Sequence, residues 1–195
     1  MSTSVMTLRN ERSRLSAADW EAGALEMIAE QGVNALAVEA LARRLGVTKG
    51  SFYWHFPTRE ALLKAALQRW ETGDAHELEA RIAPLGEPRA RLRELFQWVA
   101  RESQPHRAYA ALLQAMDQPA VVEVMGRVSQ RRMDFLERTY REAGMAEDEA
   151  LHRARLAYAA YVGFLQLNLI PDLPRLSHEQ FEAYVDHVIT TLVPA

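Results

Sequence analysis

Apolar residues recur at three- and four-residue intervals along almost the whole chain, and no run alternates with the two-residue period of a strand. The pattern predicts an all-α protein of about nine helices. The first covers residues 17–31, where Trp20, Ala24, Met27 and Ile28 share a face, Ser16 is placed to cap the start and Gly32 the end. The second covers residues 38–45, with Leu41 and Leu45 inward and Gly46 at the turn. The third covers residues 49–56 and stops at Pro57, because the residue before a proline is pushed out of helical geometry. The fourth runs over residues 58–82 from a Thr58 cap, with Glu60 suited to its positive end. Pro84, Gly86 and Pro88 make the clearest break. Beyond it the pattern gives helices over residues 89–103, 105–116, 119–143, 147–168 and 178–192. Asp117-Gln118-Pro119, Gly144 and Ser177 mark their boundaries.

The third helix carries the chemistry. Eight residues at about 1.5 Å each make a rod of about 12 Å, matched to a DNA major groove about 12 Å wide. Phe52 and Phe56 form one stripe, assigned to the core against Leu41 and Leu45. Ser51, Trp54 and His55 form a second, flanked by Lys49 and Tyr53. Residues 52–56 cover more than a turn with bulky rings, so one partner surface cannot bury them all. Each outward group has a task on a duplex. Thr48 caps the helix and leaves backbone N–H groups for a phosphate, and Lys49 adds charge at the same end. Gly50 lets backbone approach DNA closely. Ser51 can bond a base edge, and the Trp54 ring can meet a thymine methyl. Tyr53, His55 and Arg59 can donate to phosphate oxygens.

Gly turn, aromatic cluster, proline and following amphipathic helix come in an order that resembles the helix-turn-helix of the tetracycline-repressor (TetR) family of bacterial transcription regulators. The similar part spans residues 15–67 and is most specific from Gly46 to Leu63. The resemblance implies phosphate contacts at Thr48, Tyr53, His55 and Arg59, and base contacts around Lys49 to Trp54. It also implies two parts, a helix-turn-helix domain with an N-terminal arm over 1–57 and a helical effector-binding and dimerisation domain over 58–195. Such a protein would be a sequence-specific transcriptional regulator. It would act as a repressor on a palindromic operator of double-stranded DNA, and a small, mostly apolar effector would release it. Two positions depart from the pattern. Ala37 stands where the family commonly has Thr before the second helix, and Glu39 stands where it often has Arg or another polar residue.

Charge narrows the reading without deciding it. Formal net charge is −3, and residues 1–60 balance seven Lys and Arg against seven Asp and Glu. DNA attraction must therefore come from local placement of Arg9, Arg12, Arg14, Arg43, Arg44, Lys49 and Arg59. The segment 9–14 is either a basic arm for a minor groove or a solubilising tail. No Cys is present, which rules out disulfides and thiol chemistry and suits a reducing cytoplasm. No secretory signal opens the chain, and its longest apolar stretch, Leu156 to Leu165, is too short for a bilayer. No Gly-rich phosphate loop or nucleophile elbow is present, and none of the six His falls in a metal-pairing spacing. No enzyme, catalytic residue, cofactor or metal is expected.

The C-terminal helices suggest two further surfaces. Leu67, Trp70, Phe96, Tyr109, Leu113, Met116, Met125, Tyr161, Phe164 and Asn168 are candidate walls of an effector pocket, with Tyr161 and Asn168 as orienting hydrogen bonders. With no charged cluster evident inside, the effector is expected to be neutral. Ala157, Ala160 and Gly163 are small enough for close helix approach. With Phe181, Tyr184, Val185, Val188 and Leu192 they are candidates for a homodimer interface. A rival reading keeps the helical binding module and drops DNA recognition, resting on Ala37, Glu39 and the neutral N-terminal part.

Overall fold

The computed structural model describes residues 15–101 and 103–194, apart from the side chains of 103–105. The segment 9–14 lies outside the described residues. Among the described residues the elements are α1 (Ala17–Gln31), a 3-10 turn (Val33–Ala35), α2 (Val38–Arg44), α3 (Lys49–Phe52), α4 (Arg59–Arg81), α5 (Pro88–Arg101), α6 (Ser103–Leu113), α7 (Pro119–Glu142), α8 (Glu147–Leu167) and α9 (His178–Leu192), with no strand. No described helix is long and apolar enough to cross a membrane.

Caps set the ends. At α1, Ser16 Oγ accepts from the Asp19 amide at 3.3 Å and Asp19 accepts from the Ser16 amide at 2.7 Å, a reciprocal capping box. Ser177 and Gln180 repeat the device at α9. Thr58 accepts from the Ala61 amide at 3.1 Å and opens α4. Gly23 brings α1 against α2, since a Cβ there would stand 3.0 Å from Leu45 Cδ2 and 3.2 Å from Leu41 Cδ1.

One apolar core joins α1–α3 to the first half of α4 and continues into α6 and α7, from Trp20 and Phe52 through Leu67 to Leu112 and Val128. A second, smaller core gathers Leu92 of α5, Tyr140 of α7, Ala154 of α8 and Leu192 of α9. The outer half of α4 carries few buried residues and is held to α7 by charge. Glu71 accepts two bonds from Arg127, at 2.9 and 2.7 Å, and Asp74 is shared by Arg131 and Arg132. The helix that leaves the N-terminal unit is thus clamped at both ends, by packing near Leu62 and by ions near Asp74.

Candidate nucleic-acid interface and effector cavity

The turn between α2 and α3 is built by Gly46. Its φ of +69° lies in the left-handed region, which lets the Val47 amide donate to the Ala42 carbonyl at 3.0 Å and the Gly46 amide to Arg43 at 3.2 Å. This paired closure satisfies the last carbonyls of α2 and aims α3 away from it. Phe52 is fully buried and its ring meets Trp20 edge-on at 5.4 Å, while Phe56 is also buried. On the opposite side Trp54 is 80% exposed and Tyr53 56%. Thr48, Lys49, Gly50 and His55 are exposed beside them, and Ser51 is half-buried.

Three local expectations need correction. The third helix is α-helical only over Lys49–Phe52. From there the backbone tightens toward Pro57, with Trp54 donating to Ser51 at 3.4 Å and His55 to Phe52 at 2.9 Å in three-residue bonds. That spacing stacks residues three apart, so Ser51 and Trp54 still share a side. Thr48 makes no side-chain cap; instead the Ser51 hydroxyl donates to the Thr48 carbonyl at 2.8 Å. Arg59 turns inward, and its guanidinium donates to the carbonyls of Leu36 at 2.5 Å and Val33 at 2.9 Å. The Val33 carbonyl already accepts the turn's own bond from the Leu36 amide at 3.2 Å, and a long cation on the neighbouring helix reaches both it and the Leu36 carbonyl beyond the turn.

The positive groups near this surface are partly spoken for. Lys49 is hydrogen-bonded to Glu39, which raises the Lys49 pKa and lowers that of Glu39. Arg44 grips Glu30 at 2.5 and 2.8 Å and Glu26 at 3.2 Å, fastening α2 to α1.

Residues 22–66 match the model of the family described as "Bacterial regulatory proteins, tetR family". Over that segment, 45 of its 195 residues, the chain is similar to the tetR family. It is 33% identical over 76 residues to the HTH-type transcriptional regulator AcrR of Shigella flexneri, a match covering 37% of this chain and 34% of that protein. It is 48% identical over 42 residues to the class A tetracycline repressor protein from transposon 1721 of Escherichia coli, covering 22% and 19%. These two matches thus span about a third or less of the relatives' length. The fold extends further. A transcriptional regulator from Rhodococcus superposes with a TM-score of 0.74 over 91% of this chain and 96% of its own, at 23% identity.

A cavity of about 710 Å³ lies between α5, α6, α8 and α9 and reaches the end of α1 at Ala29–Gly32. Phe96, Tyr161, Phe164 and Asn168, expected as pocket walls, do line it. Leu67, Tyr109 and Met125 are instead buried in the main core, Trp70 and Leu113 pack against that core, and Met116 is 46% exposed. The residues expected at a dimer interface are also placed differently. Ala157, Ala160, Phe181, Tyr184, Val185 and Val188 line the cavity, and Leu192 is buried in the second core. The reason is that the apolar stripe of α9 folds onto its own α5 and α8, with Phe164 stacked on Tyr184 at 5.3 Å. Only Gly163 of that set faces outward, and it shares the outer side of α8 with Leu156, Ala159 and Leu167.

A smaller chamber of about 90 Å³ adjoins the cavity, with His106 and Tyr161 in both walls. The His106 ring is fixed from both sides, by the Val99 carbonyl at Nε2 (2.5 Å) and the Tyr161 hydroxyl at Nδ1 (2.9 Å). The carbonyl can only accept, so Nε2 carries a proton there. Burial pushes the Tyr161 phenol up to about 12, against the pull of Arg132. The Arg132 guanidinium lies 4.7 Å from the Tyr109 ring centre and 5.6 Å from that of Tyr161. Sequence periodicity missed this polar cluster. Glu71 and Asp74 sit three apart on α4, and Arg127 and Arg131 four apart on α7, but nothing in the sequence says that those faces meet.

Proposed function

We propose that this tetR-family protein is a sequence-specific DNA-binding transcriptional regulator that represses by occupying a palindromic operator. Residues 1–57 read DNA, and residues 58–195 bind an effector and dimerise. The reading rests on one observation above all. Trp54 and Tyr53 stand in solvent next to a fully buried Phe52, an arrangement that exposes costly apolar surface unless a partner covers it. Lys49, Gly50, Ser51 and His55 complete that face toward bases and phosphates, with Thr48 at its edge. Repression fits the chemistry of occupancy, and cytoplasmic DNA is its place of action.

Two copies are needed, because one short reading helix offers few contacts and a two-fold pair doubles them at half-sites about 34–36 Å apart. The outer side of α8 supports that pairing, since Leu156, Leu167 and Ile170 are exposed around Ala159 and Gly163. A small, mostly apolar effector in the 710 Å³ cavity releases DNA by binding the released form more tightly than the DNA-competent form. α4 carries the shift, being joined to the cavity wall through Asp74, Arg132 and Tyr161.

Selection of bound fragments from a random DNA pool tests the proposal. The expected product is a palindrome whose affinity falls in Trp54→Ala and Tyr53→Ala. If no sequence is enriched, or neither substitution changes affinity for the best fragment, the chain is a helical binding module without DNA recognition.

A further inference from the structure

We infer that the effector is an organic acid, with an apolar body lying along the aromatic wall of the large cavity and an anionic head held at its open edge by Arg107 and Arg175. This rests on the proposal that the cavity is the effector site. The body is assigned by the walls: Phe96, Phe164, Phe181 and Tyr184 present rings, and Val185 and Val188 fill between them.

The head is assigned by charge. Among the described residues lining the cavity, the charged side chains are Glu30, Arg107 and Arg175. Both oxygens of Glu30 are held by Arg44, a residue outside the cavity that also reaches Glu26. Arg107 and Arg175 are exposed, and neither takes part in an ion pair among the described residues. Two arginines against one glutamate leave the lining with net positive charge next to apolar surface. A carboxylate accepts two parallel bonds from a guanidinium, a fit that an alcohol lacks and an amine opposes. Inside the smaller chamber the balance is reversed. Arg132 is paired with Asp74, and Glu77 also lines that space, so an anion gains nothing by going deeper. Arg107 belongs to α6 where it meets the end of α1, beside Glu30. An anion seated there bears by charge on the Glu30–Arg44 tie that fastens α1 to α2.

The test is calorimetric titration of the full chain with three probes of one shape: 6-phenylhexanoate, 6-phenylhexan-1-ol and 6-phenylhexylamine. The acid is expected to bind about tenfold or more tighter than the alcohol, with the amine weakest. In the double variant Arg107→Gln/Arg175→Gln the acid's advantage should shrink to about twofold or less while the alcohol is unchanged. Circular dichroism checks that the variant is folded. An alcohol or amine that binds as tightly as the acid overturns the acid assignment. An acid preference that survives the double variant overturns the seat at Arg107 and Arg175. If none of the three binds, the cavity is not the effector site, and both this inference and the reading beneath it fall.

Discussion

Arg59, at the first turn of α4, donates to the Leu36 carbonyl at 2.5 Å and so closes the chain segment that leads into α2. A residue that sequence pattern aims at DNA is thereby part of the frame that holds the reading unit to the long helix. Arg59→Leu removes this bond and the one to Val33 at 2.9 Å, leaving the Leu36 carbonyl unpaired while that of Val33 keeps only the Leu36 amide. Unfolding in urea is expected to show a loss of about 2 kcal/mol. A drop in DNA affinity at unchanged stability would return Arg59 to the phosphates.

Phe52 and Trp54 are two residues apart and differ in every consequence. Phe52→Ala empties a fully buried site against Trp20 and should cost about 3–5 kcal/mol of stability. Trp54→Ala should leave stability within about 0.5 kcal/mol, because its ring is 80% exposed. DNA affinity should fall by about tenfold or more in Trp54→Ala, a result read from direct titration of the selected fragment.

α2 is preceded by Ala37, whose side chain supplies no cap. Ala37→Thr provides a hydroxyl for the orphan amides of the first turn and should stabilise the fold by about 1 kcal/mol. Thermal unfolding followed at 222 nm reads the gain, and no gain would mean that the Ala37 backbone does not let a hydroxyl reach those amides.

Glu71 is held below its ordinary value of 4.5, first by the hydrogen bonds from Arg127 and then by charge from Arg127 and Arg131, against a burial cost. A carboxyl with a lowered folded pKa stabilises above its unfolded value and loses that contribution as pH falls through the folded one. The difference in stability between the wild type and Glu71→Gln should therefore be constant near neutrality and shrink once pH drops below about 4.5. Denaturant titrations at pH 7 and pH 3.5 measure it. A difference equal at both pH values would detach Glu71 from the α4–α7 link.

Leu156 is 56% exposed on the outer side of α8. Leu156→Glu should leave the monomer fold intact and convert dimer to monomer in sedimentation equilibrium, since a carboxylate buried between two copies faces its own symmetry mate. A variant that sediments like the wild type places the interface elsewhere.

Helix order and most boundaries were legible because the apolar period, Gly46 and the Ser16 and Ser177 caps are local signals, but Pro57 does not mark the end of α3, which stops at Phe52. The two stripes of the reading element were legible for the same reason, since Phe52 and Phe56 against Trp54 is a matter of spacing alone. What depended on partners was not. The α9 stripe of Phe181, Val185 and Val188 is apolar on any reading, but whether it meets its own chain or a second copy is decided by tertiary packing. The pocket list failed at Leu67, Tyr109 and Met125 because bulky apolar residues look alike in a core and in a cavity wall. Arg107 and Arg175 were overlooked because exposed arginines carry no periodic signal.

The clasp between Glu39 and Lys49 gives this surface an internal counterion. When a phosphate takes Lys49, a tethered carboxylate is dismissed rather than a sodium or potassium ion from the surrounding electrolyte. Affinity should then decline less steeply with added salt than the tally of cationic side chains on that face suggests, and stray duplexes are held more loosely from the outset.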